Sequence, residues 1–205
     1  MNARDVALAG MSEGAAQKLG EFVQLVQLVH DHRPAVVLEI GTLTGGTLKA
    51  WCEATPDSAL VVSVDLPGGE WGGGYTPEQA ERIRGFARPG QRVELIQGDS
   101  QDPAVFATVL DVLRGRPVDF LFIDGDHSLE GVTADFDEYG QLVTPGGLIA
   151  FHDITVHTQV PDCRVSELWA RVAPSWPART WEFVVDGDER TWGPWAGIGV
   201  LQVPE

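Results

Sequence analysis

Between residues 12 and 30, apolar side chains fall at Leu19, Phe22, Val23, Val26 and Val29, the spacing that lines one face of a helix. The pattern predicts a helix over 12–30 with Ser12 as its N-cap. From Ala35 onward it changes to short, mainly apolar runs at 35–40, 59–65, 92–99, 118–124 and 148–153, each expected as a strand. Helix-length segments separate these runs, the first over 48–54. Parallel neighbours need crossovers long enough to hold a helix, and strands covered on both faces lose polar alternation. The expected fold is therefore α/β: a Rossmann-like, doubly wound, mostly parallel seven-stranded sheet. Beyond Asp153 the pattern gives a short helix at 166–172, then 180–186 and 197–203 as a C-terminal antiparallel strand pair. The glycine-rich stretch 68–74 is expected as a mobile loop.

The domain organisation expected from this pattern is an N-terminal helical segment, 1–33, serving as a lid or a homo-oligomer contact, and one α/β domain over 34–205. At 205 residues, 43 % hydrophobic and 21 % charged, the composition is that of one ordinary globular domain. No apolar run is long enough for a membrane span, so no membrane partner is expected. A net charge of −16 repels phosphate backbones, which argues against nucleic acid as a partner. Cys52 and Cys163 form neither a spaced metal pair nor a disulfide ladder, and MNARDVALAG lacks a signal layout; the cytoplasm is the expected location.

In open α/β sheets, ligands bind beyond the carboxyl ends of the strands. The first strand runs into Glu39-Ile-Gly41-Thr42-Leu-Thr-Gly45-Gly46, the second ends in Asp65 and the third in Gly98-Asp99-Ser100. Glycines there let the backbone turn sharply before a helix N-terminus, and a carboxylate after the second strand suits the two hydroxyls of a ribose. The plainer alternative is that the glycines only shape a turn and that Asp65 and Asp99 only cap helices. The spacing of Gly41 and Gly45 departs from the GxGxxG of dinucleotide enzymes. On these motifs the chain resembles the class I S-adenosylmethionine-dependent methyltransferases, over roughly residues 35–203. The resemblance implies S-adenosyl-L-methionine as cofactor, bound through Glu39, Gly41, Thr42, Gly45, Asp65, Asp99, Ser100 and Asp124. The first-strand motif would lie against the methionine part, Asp65 on the ribose and Asp99 at the adenine amine.

The fourth strand runs into Asp124-Gly-Asp126-His127-Ser128 and the fifth into His152-Asp153. Adjacent parallel strands would bring Asp124 and Asp153 together, and two such carboxylates repel unless a cation or a shared proton lies between them. These segments resemble metal-dependent O-methyltransferases of the cephalosporin-hydroxylase-like and macrocin O-methyltransferase-like groups, and more distantly catechol O-methyltransferase. That resemblance implies a divalent metal, Mg²⁺ or Mn²⁺, on Asp124, His152 and Asp153, and His127 as general base with Asp124 as its catalytic partner. His152 stands where those relatives commonly carry Asp or Glu, and imidazole suits Mn²⁺, Fe²⁺ or Zn²⁺ better than Mg²⁺. The bland alternatives are that His127 caps the next helix and that His152 is a core histidine. Trp71, Tyr75, His157, Val160 and Cys163 are candidate walls for the acceptor, while Trp169, Trp176 and Trp181 read as core or interface. Cys163 as a nucleophile lacks a setting that would lower its pKa.

The resulting expectation is a methyltransferase acting on a hydroxyl of a small secondary-metabolite acceptor, sugar-bearing or phenolic. Two rivals stand beside it. A nicotinamide-dependent oxidoreductase fits Asp65 but not the glycine spacing or the missing Tyr-x-x-x-Lys pair. A catalytically silent binding subunit would keep the fold alone.

Overall fold

The computed structural model describes residues 2–69, 72–185 and 195–205. Its elements are α1 (Ala3–Ser12), α2 (Leu19–His32), β1 (Val36–Ile40), α3 (Gly46–Ala54), β2 (Leu60–Asp65), α4 (Pro77–Arg84), β3 (Arg92–Gln97), α5 (Pro103–Leu113), β4 (Val118–Ile123), α6 (Leu129–Tyr139), β5 (Val143–Phe151), α7 (Val165–Val172), β6 (Thr180–Phe183) and β7 (Ile198–Gln202). The seven strands form one sheet in the order β3-β2-β1-β4-β5-β7-β6. The first five strands pair in parallel, and β7 pairs antiparallel with both β5 and β6. The α/β, mostly parallel architecture with a closing antiparallel pair agrees with the reading of the sequence.

Alternate residues of each strand point to opposite faces, and two cores result. Val37, Val61, Phe120 and Phe122 pack with α1, α2 and α3 on one face. Leu38, Ile40, Val62, Leu121 and Phe151 pack with α5, α6 and α7 on the other. Trp51 centres the first core, meeting Phe22, Phe120 and Phe122 edge-on at 5.2–5.7 Å. Because apolar residues face helices on both sides, the strands read as continuous rather than alternating.

Several boundaries differ from expectation, β6 among them, which ends at Phe183. The 12–30 segment is not one helix: α1 ends at Ser12, whose hydroxyl donates back to the Ala9 carbonyl, and α2 starts only at Leu19. Ser12 is therefore not an N-cap; Lys18 holds that position for α2, without a side-chain cap bond. Helix α1 leaves little trace in the apolar pattern because its buried face is made of Ala3, Val6, Ala7 and Gly10. Strand β5 begins at Val143 rather than near 148, because Val118 pairs with Val143 before a shift in register. Trp71 and part of the 180–186 run lie outside the described residues.

The order of strands reverses between β1 and β4, and their ends touch there. Gly41 has φ +83°, and a Cβ on it would stand 2.0 Å from the Asp124 carbonyl oxygen. Gly115 has a similar φ of +75°, with open space around it. Gly41→Ala should accordingly cost at least about 3 kcal/mol, combining left-handed strain with backbone overlap. Gly115→Ala, carrying the strain alone, should cost about 1 kcal/mol. Denaturant unfolding of the two variants checks the difference, and equal losses would contradict it.

Candidate functional site

The glycine turn after β1 is braced from both flanks. Asp65, 5 % exposed at the end of β2, accepts from the Thr42 and Leu43 backbone N–H groups at 2.7 and 3.0 Å through one oxygen, and from the Gly74 N–H through the other. Thr42 lies within hydrogen-bond distance of Ser63 at 2.5 Å, and Ser63 of the Tyr75 hydroxyl at 2.7 Å. Tyr75 is thus buried in the first core and does not face outward as an acceptor wall. Gly45 sits at the N-cap of α3 with φ +88°.

Glu39 points into the first core. It is fully buried and accepts from Thr47 Oγ1 at 2.6 Å and from the Trp51 indole N–H. Burial, against those two hydrogen bonds, pushes its carboxyl up to about 8. Asp99 is exposed beyond β3 and accepts from the Gln101 N–H at 2.9 Å. The Ser100 carbonyl takes the Tyr139 hydroxyl at 2.7 Å.

Because β4 and β5 are neighbours, Asp124 and the pair His152 and Asp153 emerge side by side. His152 Nδ1 lies 3.1 Å from Asp124 Oδ1 and 3.4 Å from Asp153 Oδ2. His127 stands in front, its Nε2 3.4 Å from Asp124 Oδ1 and its Nδ1 3.7 Å from Asp153 Oδ2. Burial opposes charge on all four side chains, yet the two carboxylates together hold the His152 pKa well above its ordinary value and raise that of His127. The imidazoles in turn overcome burial and keep Asp124 and Asp153 below the usual carboxylate range. A charged His152 is then the positive group between two carboxylates. His127 does not cap α6; Ser128 does, accepting from the Gly131 N–H at 3.0 Å.

Asp124, His152 and Asp153 each offer a ligand atom within 4.8 Å of the others, and His127, Asp153 and Cys163 form a second such group. His152 Nε2 and Asp153 Oδ1 are buried without a hydrogen-bond partner among the described residues. Carboxylate and imidazole donors of this kind fit a divalent cation of the Mn²⁺ or Zn²⁺ kind once His152 gives up its proton. Burial raises the Cys163 thiol to about 12, which leaves it a poor nucleophile.

Two residues near the site escaped the sequence reading. Gln17, between α1 and α2, donates from Nε2 to Asp124 Oδ2 at 2.8 Å, a pairing across the chain with no local signal. Asp135 is 1 % exposed on α6, close to Gly125, and burial with the nearby charges of Asp126 and Asp99 pushes it up to about 7. An acid set among Val132, Phe136 and Tyr139 was the available clue.

A family model described as a methyltransferase domain matches residues 38–154. A protein named y4gI from Sinorhizobium fredii is 28 % identical over 155 residues, 74 % of this chain and 16 % of its own length. Ribosomal RNA large subunit methyltransferase E from Alkalilimnicola ehrlichii is 30 % identical over 152 residues, 68 % of this chain and 63 % of its own. The chain thus spans less than two thirds of the length of these curated relatives. Among solved structures, an O-methyltransferase from Bacillus cereus in complex with SAH superposes with TM-score 0.63 at 19 % identity, covering 98 % of this chain and 90 % of that one. The MycE methyltransferase of mycinamycin biosynthesis, in complex with Mg, SAH and mycinamycin VI, gives 0.65 at 16 %, covering 100 % and 55 %.

Glu39 ties the fold to pH. Its pKa rises from 4.5 to about 8, so the folded protein binds this proton more tightly than the unfolded chain. The contribution is complete below about 4.5 and is lost as pH rises towards 8. Glu39→Gln should flatten that fall, as read by denaturant unfolding across the same range. An unchanged slope would contradict the burial argument.

Proposed function

Given that the chain belongs to the methyltransferase-domain family, we propose that it is an S-adenosylmethionine-dependent O-methyltransferase, assisted by a divalent cation, acting on a hydroxyl of a small secondary-metabolite acceptor. The observation that carries this reading is the meeting, at one reversal point of the sheet, of the glycine turn with Asp65 and of the Asp124, His127, His152 and Asp153 cluster. Asp65 and Asp99 stand on one side of Gly41 for the nucleoside, and the carboxylate-imidazole cluster stands on the other for the acceptor. A likeness at 16–19 % identity to solved methyltransferases supports the fold on which this reading is built.

Methyl transfer from a sulfonium needs donor and acceptor held in line and an acceptor oxygen stripped of its proton. His127, a quarter exposed between Asp124 and Asp153, is the group placed to take that proton. Its two carboxylate neighbours raise its affinity for the proton, at the cost of keeping it protonated to higher pH. Asp124, His152 and Asp153 would hold the cation, which supplies a positive charge that favours the acceptor as an oxyanion. Val156 and Val184 are exposed hydrophobics, with Val184 beside the stretch that follows Asp153, and they suit an apolar part of the acceptor.

The ribosomal RNA methyltransferase among the relatives favours RNA as a second acceptor reading. A net charge of −16 counts against it, since phosphate backbones are held by cationic surfaces.

Calorimetric titration tests the donor: the protein should bind S-adenosylhomocysteine saturably and NAD not at all, and the reverse would favour the oxidoreductase. Asp153→Ala should abolish Mn²⁺ binding while sparing S-adenosylhomocysteine. With a hydroxylated acceptor found by screening, His127→Ala should lower turnover by about 10²–10⁴-fold with donor affinity unchanged. The wild-type rate should fall as pH drops through a His127 pKa above 6.5, and a variant with full turnover would remove His127 as the base.

A further inference from the structure

The connection between α1 and α2 lies across the glycine turn. Thr44 Oγ1 donates to the Glu13 and Gly14 carbonyls at 3.1 Å, and Arg82 reaches both the Thr44 carbonyl, at 2.7 Å, and the Glu13 carboxylate. A Cβ on Gly46 would stand 2.1 Å from the Ala15 backbone nitrogen, so this segment rests directly on the start of α3. From it Gln17, 5 % exposed, extends to the end of β4 and donates to Asp124 Oδ2 at 2.8 Å. The other atom of that carboxamide, Oε1, is buried and has no hydrogen-bond partner among the described residues.

A buried carbonyl without a donor is costly, and a ligand that supplies one would offset that cost. Both groups available here, Gln17 Oε1 and the adjoining Asp124 carboxylate, are acceptors, so the matching chemistry is a cationic N–H donor. We infer that Gln17 is a donor-site residue: it holds Asp124 through its N–H and presents Oε1 to the α-ammonium of an amino-acid arm. The inference rests on the S-adenosylmethionine reading, since that sulfonium nucleoside carries such an arm. It also gives the carboxamide a second effect. By occupying Oδ2, Gln17 fixes Asp124 so that Oδ1 is the oxygen facing His127 and His152.

Calorimetry with S-adenosylhomocysteine and with its desamino analogue, on wild type and on Gln17→Met, separates this role from simple packing. Wild type should prefer S-adenosylhomocysteine by about tenfold or more, the worth of a hydrogen bond to a charged group. Gln17→Met should lose that preference, binding the desamino analogue as wild type does. Gln17→Glu, which keeps an acceptor oxygen, should retain the preference and serves if the Met variant fails to fold. Equal affinity of wild type for both ligands, or equal weakening of both in Gln17→Met, would overturn the inference and leave the donor reading standing. Failure of wild type to bind S-adenosylhomocysteine at all would overturn the donor reading, and this inference with it.

Discussion

Two strand ends, those of β1 and β4, meet backbone to backbone at the reversal point of the sheet, and they can do so only because residue 41 has no side chain. The Asp124 carbonyl occupies the space that a Cβ on Gly41 would need. The contact has consequences in both directions along the chain. Towards β2, the turn that leaves Gly41 delivers two backbone N–H groups to Asp65. Towards β5, the fixed end of β4 sets Asp124 beside His152 and Asp153. The Asp65 side and the Asp124 side of the site are therefore built from one close approach, with the N-terminal helices packed against α3 and the sheet from the first core.

Charge balance within the cluster follows from the same closeness. Two carboxylates on neighbouring strand ends would repel in a buried setting, and His152, carrying a proton, lies between them. Were a divalent cation held there, it would displace that proton, and His152 would change from a bridge to a ligand. With an acid in place of His152, the three side chains would carry one more negative charge and no internal counter-ion. Imidazole at position 152 thus gives a cluster that balances its own charge.

Most of the fold was legible because the strands are covered on both faces, and burial writes itself into sequence as uninterrupted Val, Leu, Ile and Phe. The ends of β2 and β4 were legible for the same reason, since Asp65 and Asp124 stop apolar runs abruptly. Helix α1 was not, because Ala and Gly pack closely while giving little hydrophobic contrast: a Cβ on Gly10 would stand 2.8 Å from the Gly46 carbonyl. Glu39 shows the opposite limit. Its place at the end of β1 gives no hint that the pleat turns its side chain towards Trp51 and Thr47 in the first core. Gln17 was beyond reach for a different reason, since nothing near it in sequence announces a partner at Asp124.

A crystal structure of the complex with S-adenosylhomocysteine tests the central claim most directly. The account predicts the amino-acid arm over the Gly41–Gly45 turn, beside Gln17 and Asp124, with the ribose at Asp65 and the adenine towards Asp99. A nucleoside seated elsewhere, with Asp65 still held by Thr42, Leu43 and Gly74 and Gln17 Oε1 still unpaired, would contradict it.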